Sequence, residues 1–159
     1  MDAPDDERFM RLAIDKALAG VRAGQSPYGA AVARDGGLLS CEHNVVLQTL
    51  DVAAHAEIHA LRVAALALGT VELAGCAVYS TCEPCAMCFS ACHWAHVSRI
   101  VFGASIADSA ALGFAELNIT NETMRRLGNS RIELVGGVLR EECLGIFKAW
   151  KDAGRTELY

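Results

Sequence analysis

Apolar positions along the chain change their period several times, and each change marks an element. Phe9, Met10, Ala13, Ile14, Ala17, Leu18 and Val21 recur at helical spacing behind an acidic stretch suited to a helix N-terminus. Gly20 and Gly24 mark the predicted end of that helix. Residues 30–33 and 38–46 read as two strands around the turn Asp35-Gly36-Gly37. Residues 55–68, rich in Ala and Leu, read as a helix closed by Gly69. A short apolar run over 76–80, β-branched at Val78, reads as a buried strand. Residues 85–95 have helix-forming composition with Pro84 just ahead, a residue tolerated where a helix starts. Residues 98–103 and 132–135 are two further strands, and 139–151 a last amphipathic helix. The stretch 108–121 follows no period; within it Gly113-Phe114-Ala115-Glu116 reads as a functional loop.

Strands and helices therefore alternate over most of the chain. That pattern predicts an α/β fold, a three-layer α/β/α sandwich with one hairpin and otherwise mainly parallel pairing. At 159 residues there is room for one domain with a real core, here 1–159, and no repeat or linker divides it. Hydrophobic content is 53%, yet no stretch approaches twenty apolar residues, which argues for a soluble protein and no membrane partner. The acidic start, Met1 to Glu7, reads neither as a secretory signal nor as a transit peptide, so the expected location is cytoplasmic. The net charge of −5 makes nucleic acid an unlikely partner, because phosphate binding needs a basic surface.

Seven cysteines change the picture. Cys82, Cys85, Cys88 and Cys92 crowd together, while Cys41, Cys76 and Cys143 stand apart. An odd count with tight spacing points to metal ligation in a reducing compartment rather than to disulfides. Upstream stands His55-Ala56-Glu57, and the cysteine run contains Pro84-Cys85-Ala86-Met87-Cys88. One imidazole and two thiolates fill three positions around a tetrahedral zinc ion and leave a fourth for water. A glutamate beside the metal can carry the protons of that water. His-x-Glu followed by Pro-Cys-x-x-Cys is the pattern of zinc nucleobase deaminases. His55, Cys85 and Cys88 are the expected ligands of one Zn²⁺ per chain, and Glu57 the expected proton shuttle.

On these residues the chain resembles the cytidine deaminase-like superfamily, and within it the branch of guanine deaminases and tRNA adenosine deaminases. The resemblance is strongest at Pro27-Tyr28-Gly29-Ala30, Asn44, Ala54 to Glu57 and Cys82 to Cys88. It implies a mixed five-stranded sheet between helices and a homodimer or larger assembly. Gly113-Phe114-Ala115-Glu116 is similar to the Gly-Phe-acid-acid loop of bacterial guanine deaminases, with Ala115 replacing the first acid. The resemblance implies that Glu116 binds the polar edge of a purine and assists proton transfer. It further implies that Asn44 bonds the ring edge, that Ala56 contributes to substrate binding, and that Tyr28 and Trp94 stack on the ring. The C-terminal segment, about 144–159, is similar to the guanine deaminase tail that closes over an active site. Residues 129–143 are closer to tRNA adenosine deaminases, although the last helix lacks a basic face.

The first expectation is thus hydrolytic deamination of a nucleobase, guanine to xanthine and ammonia. Alternatives are a tRNA adenosine-to-inosine deaminase and an enzyme for another amino-heterocycle or nucleoside, such as guanosine or cytosine. Three other readings stay open. Cys85-x-x-Cys88 alone could be a redox pair. Cys82, Cys85, Cys88 and Cys92 have the spacing of an iron–sulfur ligand run, although His93 rather than proline follows. A structural zinc site would recruit a fourth protein ligand, with Cys82 and His93 nearby in sequence.

Overall fold

The computed structural model describes residues 3–155. The chain runs α1 (Ala3–Arg22), β1 (Gly29–Arg34), β2 (Gly37–His43), α2 (Val46–Thr49), α3 (Ala56–Leu68), β3 (Ala77–Cys82) and α4 (Ala86–Trp94). It continues with β4 (Arg99–Ala104), α5 (Ile106–Ala110), α6 (Asn121–Leu127), β5 (Glu133–Gly136) and α7 (Arg140–Asp152). The five strands form one mixed sheet in the order β2-β1-β3-β4-β5.

Alternate side chains of the central strands serve two cores, as the two-residue period of a strand requires. Ala31, Ala33, Tyr79 and Val101 face α1 and α7, against Phe9, Met10, Ile146 and Phe147. Ala30, Val32, Val78 and Ile100 face α3 and α4, against Ala60, Leu61, Phe89 and Cys92. Every residue of β3 is buried, which is why its sequence shows no polar alternation. The result is the expected α/β/α sandwich. A buried polar group fastens α1 to the sheet: Asp6 accepts from the Tyr79 hydroxyl at 3.2 Å and from Arg99 Nη2 at 2.9 Å.

Several boundaries differ from the sequence reading. The pairing is half antiparallel, because β1 pairs antiparallel with β3 as well as with β2, while β3–β4 and β4–β5 are parallel. Gly20 lies inside α1 rather than ending it; His43 packs so close that a Cβ there would sit 2.8 Å from its ring. The second strand stops at His43, since Asn44 turns the chain and Val46 opens α2. Helix α6, within a segment assigned no element from sequence, is capped by Thr120, whose side chain accepts from the Thr123 N–H. The turn at Asp35 and Gly36 has positive φ at both residues, the geometry that suits a tight hairpin. Among the described residues no helix is long and apolar enough to cross a membrane.

Candidate active site

Two loop-to-helix junctions meet at the C-terminal end of β3. His55 is the N-cap of α3 and Cys85 the N-cap of α4, both with extended backbone. Cys88 follows one turn into α4, fully buried. Both sulfurs lie 3.6 Å from His55 Nδ1. Zinc bonds of about 2.3 Å to sulfur and about 2.0–2.1 Å to nitrogen, at a tetrahedral angle, separate the two ligand atoms by about 3.6 Å. The three groups therefore fit that ion, with Nδ1 as the ring atom presented. Among the described residues they are the one His/Cys/Asp/Glu group gathered closely enough to hold a metal.

The electrostatics agree. The Cys88 thiol donates to Cys85, which draws Cys85 down to about 4 against the pull of burial, with His55 helping. Cys88 is pushed up by that same partner and by burial. A metal ion bound to both sulfurs as thiolates would displace the Cys88 proton. Burial lowers His55, but its contact with Cys85 and the charges of Glu57 and Glu116 outweigh that and raise it overall.

Glu57 sits in the first turn of α3 and is only 6% exposed. Its Oε1 accepts from the buried Ser80 hydroxyl at 3.0 Å, and its Oε2 lies 3.6 Å from Cys88 Sγ. Burial raises its pKa, opposed by His55. That carboxyl can carry a proton nearer neutral pH than an exposed one. His55, Cys85 and Glu57 open onto a cavity of about 280 Å³ that Tyr28, Asn44, Met87, Phe114 and Glu116 also line.

The cavity presents a donor and an acceptor. Asn44 is 1% exposed, and its Oδ1 accepts from the Val46 N–H at 3.0 Å. That bond orients the amide and leaves its NH₂ as the end offered to the cavity. Glu116 Oε1 accepts from Ser109 Oγ at 2.8 Å. Burial raises the Glu116 pKa, and the Ser109 bond opposes it. Tyr28 lines the cavity with its ring wedged edge-on against Phe114 and Phe147, at centroid distances of 5.3 and 5.8 Å.

Two expected substrate contacts are not in this cavity. Trp94, at the end of α4, is 79% exposed and lines a separate surface depression with Ile58, Val71 and Ala91. Ala56 is fully buried, and its side chain packs with Ala60 and Leu61 in the α3 core instead. Cys82 does not join the metal group; it donates to the Ser105 carbonyl at 3.5 Å. Cys92 is buried in the α4 core. The iron–sulfur run is thus split by the fold, and His93 bonds Ser130 rather than supplying a fourth ligand. Sequence reasoning missed Ser80 and Ser109. A serine in a fully buried strand was the available signal for Ser80; Ser109 left none. Glu83 accepts from the Ile106 N–H at 3.2 Å and the Asn121 N–H at 2.8 Å, capping α5 and α6.

This fold and this donor set define a zinc-dependent aminohydrolase. Residues 3–104 match the cytidine and deoxycytidylate deaminase zinc-binding region, and the chain belongs to that family. It is 34% identical to the guanine deaminase of Bacillus subtilis over 96% of this chain and 98% of that one. It is also 34% identical to a tRNA-specific adenosine deaminase of the same organism, over 91% and 88% of the two chains. A solved structure of a variant protein in complex with 8-azaguanine superposes with a TM-score of 0.86, at 30% identity, over 92% of this chain and 84% of that one.

Proposed function

We propose that the chain deaminates guanine to xanthine with release of ammonia. The observation that carries this reading is the pairing of the Asn44 amide with the Glu116 carboxylate on the cavity that holds the metal group. Guanine offers a carbonyl oxygen for the first, and N–H and amino donors for the second. Adenine has no carbonyl. The cavity lies just below the usual range for small-ligand sites, which suits a bare base. The two relatives pull in different directions at equal identity, and the make-up of the site supports the guanine branch. The net charge of −5 also weighs against tRNA.

A zinc ion on His55, Cys85 and Cys88 would supply the Lewis acidity that makes water a nucleophile near neutral pH. Glu57 takes one proton from the attacking water and gives it to the ring nitrogen, then takes the proton left on the added hydroxyl and delivers it to the amine as the C–N bond breaks. Ser80 holds one of its oxygens still, so the other moves protons along a short, fixed path. Asn44 and Glu116 orient the ring, and Tyr28 walls its face. Of the C-terminal segment, Phe147 and Trp150 of α7 back Phe114, two residues before Glu116, which is consistent with a closing role. Residues 156–159, including Leu158 and Tyr159, lie outside the described residues.

Ammonia release on guanine, guanosine, cytosine and an adenosine-containing anticodon stem-loop tests the substrate. Guanine turnover is expected. Glu116→Gln should cut kcat/KM by about ten- to a hundredfold, the weight of a hydrogen bond to a charged group, with zinc retained. Activity on the RNA alone would overturn the reading in favour of the adenosine branch.

The homodimer belongs to the same proposal. Trp94 and Val71, both about 80% exposed, line one apolar depression on and beside α3 and α4. A two-fold axis would bury it against its own copy. Light scattering is expected to give twice the 16.9 kDa chain mass, and Trp94→Lys to shift it toward the monomer. A wild-type monomer at micromolar concentration would sink this assembly. All seven cysteines are free, which fits a reducing cytoplasmic setting.

A further inference from the structure

Glu116 stands in a stretch that has neither helix nor strand, between α5 and α6. A loop glutamate keeps much of its rotamer freedom unless something behind it takes that freedom away. Ser109, on α5, is fully buried and cannot touch a substrate. Its Oγ lies 2.8 Å from Glu116 Oε1 and 2.7 Å from the Tyr28 hydroxyl. A carboxylate only accepts, so the single Ser109 hydrogen goes to Glu116. The Tyr28 hydroxyl must then donate to Ser109. Burial pushes the Tyr28 phenol upward and keeps it a donor. The order of donation is Tyr28 to Ser109 to Glu116.

Both ends of this chain are anchored. Helix α5 opens with a reciprocal capping box, in which Ser105 accepts from the Asp108 N–H and Asp108 accepts from the Ser105 N–H. Arg140 Nη2 holds the other Asp108 oxygen at 2.6 Å and so ties α5 to α7. At the far end the Tyr28 ring is clamped by Phe114 and Phe147. Glu116 Oε2 accepts no hydrogen bond from the described residues, and Glu116 lines the cavity.

We propose that Ser109 is the positioning residue of Glu116: it commits Oε1 to the protein and presents Oε2 alone to the amino edge of the substrate. This rests on the guanine reading above. Glu57 is held in the same manner by Ser80, so each of the two working carboxylates has one oxygen fixed by a buried serine.

The test is a double-mutant cycle on guanine turnover, with zinc content and thermal midpoint measured for each protein. Ser109→Ala is expected to keep zinc and lose about ten- to a hundredfold in kcat/KM. In a Glu116→Ala background, which removes the acceptor, the same change should cost less than about threefold, because it acts only through that carboxylate. Tyr28→Phe, which keeps the ring and removes only the hydroxyl, should give a smaller loss that also vanishes in the Glu116→Ala background; it carries the test if Ser109→Ala does not fold. Equal losses in both backgrounds, or an undiminished Ser109→Ala enzyme, would overturn the positioning role while leaving the guanine reading intact. A wild-type enzyme silent on guanine would overturn that reading, and the Ser109 proposal with it.

Discussion

Glu57→Gln is expected to bind zinc at one ion per chain and to lose turnover by at least about 10²–10⁴-fold, the range a positioned acid–base group contributes. Glutamine has the same shape and still offers an oxygen to the Ser80 hydroxyl, so the pocket should keep its form. What disappears is the ability to take up a proton and give it back. Metal analysis beside an ammonia assay separates the two effects. Near-normal turnover in a zinc-replete variant would remove Glu57 from the chemistry. Loss of zinc together with turnover would mean that the carboxylate supports the ligands rather than the proton path.

Cys88→Ser is expected to abolish both zinc and activity, and to destabilise the fold. Cys88 is fully buried with its sulfur 3.6 Å from His55 Nδ1, in the position a zinc thiolate needs. A serine hydroxyl is a far poorer ligand for a borderline-soft ion. Zinc that binds only the native chain adds to its stability by mass action. Wild-type protein stripped with a chelator should therefore melt at a lower temperature, toward the Cys88→Ser value, and zinc should restore only the wild type. Retained zinc and turnover in Cys88→Ser would exclude Cys88 as a ligand.

The metal group was legible in the sequence because its chemistry is local. His55 and Glu57 are two residues apart, and Cys85 and Cys88 span one helical turn, so each pair is placed by its own helix start. The main helices and the hairpin were legible for a similar reason, since periodicity is a short-range signal. The β1–β3 pairing was not, because nothing in either strand specifies direction once both are buried on two faces. Trp94 illustrates the same limit. It is close to Cys88 in sequence, but the turn of α4 carries it to the solvent side. Ser109 lay beyond reach altogether, because it gains meaning only where α5, the Glu116 loop and Tyr28 converge.

The Glu83 carboxylate gives the site a further property. One residue beyond Cys82, it grips the first amide of α5 and the first amide of α6 with separate oxygens. Asn121 reinforces that grip by donating to the Pro84 carbonyl at 2.6 Å. The chain between those two helix starts, which carries Ser109 and Glu116, is a suspended span with both piers set on the strand end that leads to the metal ligands. Glu116 is thereby carried on a different piece of chain from His55, Cys85, Cys88 and Glu57, yet both pieces are registered to one strand end, so a shift of that end would move the ligands and the loop together.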